Sequence, residues 1–243
     1  MNELKGRHAV VTGGGKGIGL AIACALKDAG ANVTVISRSG SDAFFTASAD
    51  VTDETALSIA FDKARQRFGA ISILVNNAGI AESAPLKRTD RAMWDRIIAT
   101  NLTGTYLCSR MVLDEMLSAK WGRIVNIASI AGLFGAPYIA AYSASKHGVV
   151  GFTRSAAGEL NGSGVTMNVV CPGYTETAMM DRAIENIIKR TGMSHTQARE
   201  ELARTNPGGR IVTAEEVAQS TLSLIAGSEN GREIVLPPLS VSS

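Results

Sequence analysis

The sequence predicts an α/β fold with a doubly wound parallel sheet of about seven strands and helices on both faces. Three observations lead to this prediction. Strand-like and helix-like segments alternate along the 243 residues. The strand-like segments are continuous apolar runs, which indicates burial on both faces of a sheet. A glycine-rich turn joins the first strand to the first helix. Since the sequence contains no repeat and no obvious linker, we expect one domain over residues 1–243.

Each predicted element has a local reason. The strands are short apolar runs, at 8–12, 32–37, 44–50, 71–76, 123–129, 165–171 and 232–236. The helices carry apolar residues three and four positions apart, at 17–29, 52–68, 89–118, 142–160 and 214–225. Gly30 and Gly69 end the first two helices, and Thr52 is placed as the N-cap of the second.

Two connections depart from a regular alternation. Residues 38–50 leave little room for a helix, so we expect a loop or a single turn before the third strand. Residues 176–209 are unusually long for a connection and contain two helical pieces. Long structured insertions over a sheet edge are often lids or substrate walls. We interpret 176–209 as a substrate lid, with an extra pair of packing helices as the alternative.

Composition excludes several classes of protein. Charged residues make up 19% of the chain and the net charge is +2, which is too balanced for a nucleic-acid-binding or membrane-surface protein. The cysteines Cys24, Cys108 and Cys171 are widely spaced in apolar runs, so we expect buried free thiols and no metal site. Residues 1–7 are charged and lack a signal-peptide core, and no run is long enough to span a bilayer. We therefore expect a cytoplasmic protein.

The glycine-rich turn at 12–19 reads TGGGKGIG. Glycine permits a tight turn and the close approach of a ligand, and the N-terminus of the following helix offers free N–H groups to a phosphate. The spacing differs from the common dinucleotide fingerprint, and the useful set is Gly13, Gly17 and Gly19. We predict a Rossmann-type dinucleotide site, with a glycine-rich loop that binds nothing as the alternative. The residues assigned to this turn are Thr12, Gly13, Gly15, Lys16, Gly17, Ile18 and Gly19.

The second strand ends at Ser37 and Arg38. An acidic side chain there would bind the adenosine ribose and repel a 2′-phosphate. Ser37 is uncharged, and Arg38 can pair with a phosphate through two hydrogen bonds. Lys16 adds a second positive charge nearby. This pattern favours NADP(H) over NAD(H); the alternative is that both cations are solvated surface residues.

The sequence resembles the short-chain dehydrogenases/reductases over nearly its whole length. The shared motifs, in order, are TGGGKGIG from Thr12, the pair Asp50-Val51, NNAG from Asn76, Asn101, Ser129, YSASK from Tyr142 and PGYTET from Pro172. The chain departs from the family where it lacks a helix after Arg38. It departs again in its C-terminal segment, which reads IVLPPLSVSS. Members of the family often have a VDGG-like segment there, near a subunit interface.

The resemblance implies an oxidoreductase acting on CH–OH groups, similar to 3-oxoacyl-thioester reductases and 3-hydroxyacyl dehydrogenases. It implies a homodimer or homotetramer formed through the helices around 89–118 and 142–160. It also implies contacts with the cofactor. Asp50 and Val51 would hold the adenine, and Asn77, Ala78 and Gly79 would flank the adenosine and ribose region. The residues at the nicotinamide would be Pro172, Gly173, Thr175 and Thr177.

Carbonyl reduction needs a hydride on carbon and a proton on oxygen, and a positioned acid must supply the proton. Tyrosine has a free pKa of about 10, and a neighbouring cation lowers that pKa. Lys146 follows Tyr142 by one helical turn, on the same face. We predict Tyr142 as general acid/base and Lys146 as the group that lowers its pKa and binds ribose. Ser129 ends the fifth strand, where ligands bind, and is predicted to hydrogen-bond the substrate oxygen. The resemblance adds Asn101 as a proton relay through water to Lys146.

The substrate pocket is expected between Ser129, Tyr142 and the insertion. Its candidate walls are mostly apolar, at Ile130, Ala131, Leu133, Phe134, Tyr138, Tyr174, Met179 and Met180. Such walls favour an acyl, alicyclic or aromatic substrate. The insertion also carries cations, which are Arg182, Lys189, Arg190, Arg199 and Arg204. They could bind an acidic carrier or a CoA phosphate; the alternative is that they form a solvated helix face.

Three functions fit this pattern. The first is a 3-oxoacyl-thioester reductase. The second is a dehydrogenase or reductase of a cyclic or aromatic secondary alcohol. The third is a cofactor-sensing regulator without turnover, against which the intact set of predicted catalytic residues argues, because a sensor has no need of a proton donor.

Overall fold

The computed structural model describes residues 4–238, which contain seven parallel strands in one sheet. The strand order is β3-β2-β1-β4-β5-β6-β7. The strands are β1 His8–Thr12, β2 Asn32–Ser37, β3 Phe45–Ser48, β4 Ile73–Asn76, β5 Gly122–Ile127, β6 Val165–Pro172 and β7 Glu233–Leu236. The predicted fold class is confirmed. Residues 1–3 of the charged N-terminus and 239–243 of the atypical C-terminus lie outside the described range.

Helices cover both faces of the sheet. They are α1 Gly17–Asp28, α2 Glu54–Phe68, α3 Arg91–Ile98, α4 Gly104–Ser118, α5 Ala140–Glu159, α6 Ala178–Thr191, α7 His195–Thr205 and α8 Ala214–Ala226. Side chains of β1 alternate between two cores, because successive strand residues point to opposite faces. Val10 packs in the core under α2 and α4, whereas Ala9 and Val11 pack in the core under α1 and α8. No helix within residues 4–238 is long and apolar enough to cross a membrane.

Several predicted boundaries are wrong in detail. Strand β3 is shorter than the predicted 44–50 and has four residues. Asp53, not Thr52, caps α2, and the Thr52 hydroxyl instead donates to Asp50 at 2.8 Å. The predicted helix 89–118 begins only after Asp90 and is interrupted at Ala99–Thr103. Side chains of Asp and Thr form local hydrogen bonds that compete with those of a helix, and such bonds determine where α2 and α3 begin.

The cysteine prediction is correct for two thiols and wrong for the third. Cys108 and Cys171 are buried, and burial raises the pKa of each thiol to about 12. Cys24 is exposed. It lies on the outer side of α1, whose buried residues include Ile22 and Leu26. An apolar neighbourhood in sequence does not determine which face of a helix a residue occupies.

The insertion contains the two predicted helical pieces, α6 and α7. They pack on each other through a core of their own, formed by Met180, Ile184, Ala198 and Leu202. This core is separate from the two main cores of the sheet. The pair of helices is therefore a distinct layer that follows the carboxyl end of β6.

A line of buried polar side chains crosses the sheet. Asn76 Nδ2 donates to Asn126 Oδ1 and to Ser109 Oγ, both at 2.9 Å. Asn126 Nδ2 donates to Thr153 Oγ1 at 2.9 Å. These bonds join α4, β4, β5 and α5. Because buried polar groups are costly when unpaired, this line favours one alignment of the strands and helices.

We expect Asn126→Ala to lower the free energy of unfolding by about 1–3 kcal/mol, because it leaves buried partners unpaired. Chemical denaturation measures this. Thr166→Val is the matched control, since the buried Thr166 hydroxyl has no hydrogen-bond partner among residues 4–238. The control should be neutral or stabilising, and equal losses for both variants would contradict the role of the polar line.

Candidate active site

The glycine-rich turn leaves β1 and enters α1 at the carboxyl edge of the sheet. Gly13 and Gly17 have φ of +66° and +53°, a region that favours glycine. A Cβ on Gly19 would lie 2.4 Å from the Gly13 carbonyl oxygen, so α1 approaches the turn as closely as only glycine permits. Gly15 is less crowded, because a Cβ there would meet its nearest atom, the Gly40 carbonyl oxygen, at an ordinary contact distance of 3.7 Å. The turn therefore has a closely packed base and a less crowded side at Gly15.

The first turn of α1 presents free backbone N–H groups at this place. Lys16 is at the N-cap position and makes no side-chain capping bond. The first N–H that bonds within the helix is that of Leu20, to the Lys16 carbonyl. Those of Gly17, Ile18 and Gly19 bond to no backbone or capping group between residues 4 and 238. Free N–H groups and the positive end of a helix dipole suit a phosphate.

The turn is bound to the end of β4, across the crevice where the strand order reverses. The Thr12 hydroxyl accepts hydrogen bonds from the N–H groups of Asn77 and Ala78, both at 3.0 Å. Asn77 Nδ2 donates to the carbonyls of Thr12 and Gly13, at 3.0 and 3.2 Å. Open parallel sheets bind ligands in this crevice. The residues present thus fit a dinucleotide, with a rigid crevice beside a phosphate-binding turn.

The loop after β2 contains no helix, as predicted. Arg38 is 77% exposed there and forms an ion pair of 3.7 Å with Asp50. Ser37 lies beside Gly15, with its Oγ 3.9 Å from a Cβ placed there. Val51 is buried in the sheet core, so only its backbone is available to a ligand. The structure thus brings the predicted adenosine-end residues to one rim of the turn.

Ser129, Tyr142 and Lys146 lie together at the carboxyl end of β5. Lys146 Nζ is 5.8 Å from the centre of the Tyr142 ring, as expected for one face of α5. Nζ is buried and donates to the Ile127 carbonyl at 2.8 Å. Ser129 follows β5 and caps a short 3-10 turn, its hydroxyl accepting from the Ala131 N–H at 3.1 Å. Side chains from the end of β5 and from α5 therefore form one cluster.

Burial controls the protonation of this cluster. It raises the pKa of Tyr142 to about 12, while a hydrogen bond from Ser129 acts in the opposite direction. It also lowers the pKa of Lys146 to about 8. Desolvation of the phenolate is the largest cause of the raised Tyr142 pKa, and Lys146 is not among the groups that shift it. The predicted lowering of the Tyr142 pKa by Lys146 stays a prediction.

Asn101 lies in a π-helical turn, Ala99–Thr103, between α3 and α4. Its side chain is buried and bonds outside its own helix, accepting from the Ile80 N–H at 2.8 Å and donating to Ser145 Oγ at 3.0 Å. π turns occur mostly at functional sites. Gly79 sits between this asparagine and the lysine, since a Cβ there would be 3.2 Å from Asn101 Oδ1 and 3.7 Å from Lys146 Nζ. The predicted relay residue is thus beside the cluster.

The segment from Pro172 to Thr177 is held by a residue that sequence reasoning missed. Asn206 is buried, and its Oδ1 accepts from the Tyr174 N–H at 2.7 Å. Its Nδ2 donates to the carbonyls of Tyr174 and Arg210, at 3.0 and 2.7 Å. A Cβ on Gly173 would lie 2.3 Å from Asn206 Oδ1. The available signal was an asparagine before the helix-breaking Pro-Gly-Gly at the end of the insertion.

The predicted substrate walls do not all face the same space. Leu133 and Tyr174 are half-buried, and Met179 is 44% exposed at the start of α6. Met180 is only 4% exposed and belongs to the core between α6 and α7. Assigning Met180 to the substrate wall is therefore wrong, because neighbouring residues of a helix point about 100° apart.

Comparisons with known proteins agree with this geometry. A family model described as short chain dehydrogenase matches residues 7–187. The chain is 36% identical to a D-beta-hydroxybutyrate dehydrogenase of Cupriavidus necator, over 95% of this chain and 94% of the relative. It is 37% identical to the 3-oxoacyl-(acyl-carrier-protein) reductase of Escherichia coli, over 91% of both. A crystal structure of an actinorhodin polyketide ketoreductase variant with NADPH matches with a TM-score of 0.89 at 33% identity, covering 95% of both chains.

Lys146→Met should raise the melting temperature at pH 7 and raise it less as the pH increases. In the folded state Lys146 has a pKa of about 8, below the 10.5 of a free lysine. Below pH 8 the buried amine must be charged, and this lowers the free energy of unfolding. That cost disappears as the pH approaches 10.5. Thermal unfolding at several pH values between these limits measures the difference. Lys63→Met, at an exposed position of α2, is the matched control. A gain that is independent of pH would contradict the argument.

Proposed function

The chain belongs to the short-chain dehydrogenase/reductase family and is an oxidoreductase that interconverts a ketone and a secondary alcohol; from this premise we propose that it prefers NADP(H) and uses Tyr142 as its proton donor. The observation that carries the proposal is the cluster of Ser129, Tyr142 and Lys146 beside the crevice of the glycine-rich turn. A positioned acid next to a dinucleotide crevice is what carbonyl reduction needs.

In the proposed reduction, the Tyr142 hydroxyl donates its proton to the carbonyl oxygen, and the Ser129 hydroxyl donates a hydrogen bond to the same atom. A bound nicotinamide supplies the hydride. The raised pKa keeps Tyr142 protonated at neutral pH. When the proton has left, the nearby Lys146 ammonium favours the phenolate. In the oxidation the same groups act in reverse, with Tyr142 as the base.

Three further groups of residues would hold the cofactor. The turn Thr12–Gly19 would hold the pyrophosphate with its free N–H groups. Ser37, Arg38, Asp50 and Val51, with the segment Asn77–Gly79, would surround the adenosine. Pro172, Gly173, Thr175 and Thr177 would lie at the nicotinamide, and Asn101 would relay protons to Lys146. These assignments rest on the shared motifs and on the common edge of the sheet at which the residues lie.

The preference for NADP(H) is supported by charge at the end of β2. Arg38 and Lys16 are exposed cations that directly follow Ser37 and Gly15 in the chain, and Ser37 replaces the acidic residue that would repel a 2′-phosphate. The NADPH in the ketoreductase structure is consistent with this preference. The competing feature is Asp50, which pairs with Arg38.

We propose a 3-oxoacyl thioester as the substrate class, as for the Escherichia coli relative. The half-buried Leu133 and the exposed Met179 offer an apolar path for an acyl chain. A cyclic or aromatic secondary alcohol is the alternative, favoured by the exposed aromatic rings of Phe134 and Tyr138 on the loop after β5. We interpret 176–209 as the lid over this path.

We propose a cytoplasmic homotetramer formed from a single catalytic domain. The support for assembly is an exposed apolar surface on α4 and α5. Tyr106 is 41% exposed and Leu117 37%, and the Tyr106 ring meets Phe152 edge to face at 6.3 Å. Exposed apolar patches mark interaction surfaces. Free cysteines agree with a reducing compartment.

Tyr142→Phe should lower kcat by about 10²–10⁴-fold, because the positioned proton donor is lost. NADPH binding, followed by nucleotide fluorescence, should be unchanged. Turnover is followed by nicotinamide absorbance with acetoacetyl thioester and cyclic ketone substrates. Tyr106→Phe, on α4, is the control for loss of a phenol elsewhere. Normal turnover by the Tyr142 variant would refute the mechanism.

Arg38→Asp and Arg38→Gln should each reduce the preference for NADPH over NADH by roughly tenfold or more, since a charge-assisted bond to the 2′-phosphate is lost. The Gln variant removes the cation without placing a second carboxylate beside Asp50. Kinetics with both nucleotides give the ratio of kcat/KM. An unchanged ratio in both variants would show that Arg38 is a solvated surface residue.

A further inference from the structure

Two loops from the carboxyl edge of the sheet and helix α6 meet at Tyr138. This residue has φ of +70°, which is strained for a side chain other than glycine. Its carbonyl accepts a hydrogen bond from the Ala84 N–H at 2.8 Å, which joins the loops after β5 and β4. Its ring faces the guanidinium of Arg190 on α6, with 5.9 Å between the guanidinium carbon and the ring centre. Such strain persists where the surroundings require it and is common at ligand sites.

Helix α6 runs between two contacts. Its N-cap, Thr177, touches the glycine-rich turn, where a Cβ on Gly17 would lie 3.3 Å from Thr177 Cγ2. Its last turn carries Arg190, over Tyr138. A helix of 14 residues is about 21 Å long. Tyr142 follows Tyr138 by four residues, so the Cα atoms of the two tyrosines are at most about 14 Å apart. The Tyr138–Arg190 pair thus joins the last turn of α6 to the loop that leads into α5, the helix of Tyr142.

Arg190 differs from the other arginines at the end of the lid. Arg199 pairs with Glu176, and Arg204 pairs with Glu201 at 3.3 Å. Arg190 has no carboxylate within 4.0 Å in the part of the chain that the structure describes. A guanidinium that lies on an aromatic face keeps its N–H edge available for an anion.

We propose that Tyr138 and Arg190 form an anion-binding clamp, which selects substrates that carry a carboxylate or phosphate on the side away from the reacting carbon. This rests on the proposed function, because it assumes that a ketone or alcohol occupies the site of Tyr142. The apolar side chains predicted as substrate walls include the half-buried Leu133 and the exposed Met179. The substrate is then a ketone with an apolar body and a distal anion.

The test uses two matched pairs of ketones. One pair is 4-oxocyclohexanecarboxylate and its neutral methyl ester. The other is acetoacetyl-CoA and the neutral acetoacetyl thioester of N-acetylcysteamine. For each pair, the ratio of kcat/KM for the charged member to that for the neutral member is measured in the wild type and in variants. Arg190→Gln removes the cation, Arg190→Lys keeps it without the planar fork, and Lys189→Gln removes the neighbouring cation as the control.

Arg190→Gln should lower the ratio roughly ten- to hundredfold in at least one pair, in line with the loss of a charge-assisted hydrogen bond. Arg190→Lys should lower the ratio less than Arg190→Gln does, and Lys189→Gln should leave the ratio unchanged. The pair that responds identifies the anion as carboxylate or phosphate. Thermal unfolding confirms that each variant is folded.

An unchanged ratio in both pairs, or an equal loss in the Lys189→Gln control, would overturn the clamp. In that case the neutral ketones would still be reduced, and the proposed function would stand. If the wild type reduces none of the four ketones with either nucleotide, the proposed function fails, and the clamp fails with it.

Discussion

Parallel pairing of seven strands is the constraint on which the rest of this protein depends. It brings every strand's carboxyl end to one edge, so that segments distant in sequence meet there. Reversal of the strand order between β1 and β4 opens a crevice at this edge, and the hydrogen bonds between Thr12 and Asn77 hold its two sides together. The turn, the cluster around Tyr142 and the insertion at 176–209 are all attached to this frame.

Desolvation is the second physical effect that organises the site. Burial favours the neutral form of each ionisable group there, so it keeps the Tyr142 phenol protonated and weakens proton binding by Lys146. The Ile127 carbonyl partly compensates by accepting a hydrogen bond from Nζ. In such a low-dielectric environment each remaining charge acts more strongly on its neighbours than it would in water. Burial of this cluster therefore both lowers the free energy of unfolding, through Lys146, and sets the protonation states that the reaction needs.

The insertion at 176–209 is attached to the frame by polar contacts rather than by the main core. A single parallel bridge between Thr175 and Val212 brings together the two ends of the insertion. Asn206 adds three hydrogen bonds beside that bridge. The apolar core of α6 and α7 is their own. This arrangement fixes where the insertion begins and ends.

The sequence by itself determined the strand and helix order, the parallel sheet, the glycine-rich turn and the identity of the clustered Ser129, Tyr142 and Lys146. These follow from periodicity, glycine spacing and family motifs, which are local properties or shared ones. Only the tertiary structure decided that Cys24 is exposed, that Met180 is buried, and that Asn206 and the Tyr138–Arg190 pair lie where they do. It also decided the direction of the Tyr142 pKa. The reason is physical: burial, the face of a helix and contacts between distant loops depend on how elements pack, and local sequence does not specify packing.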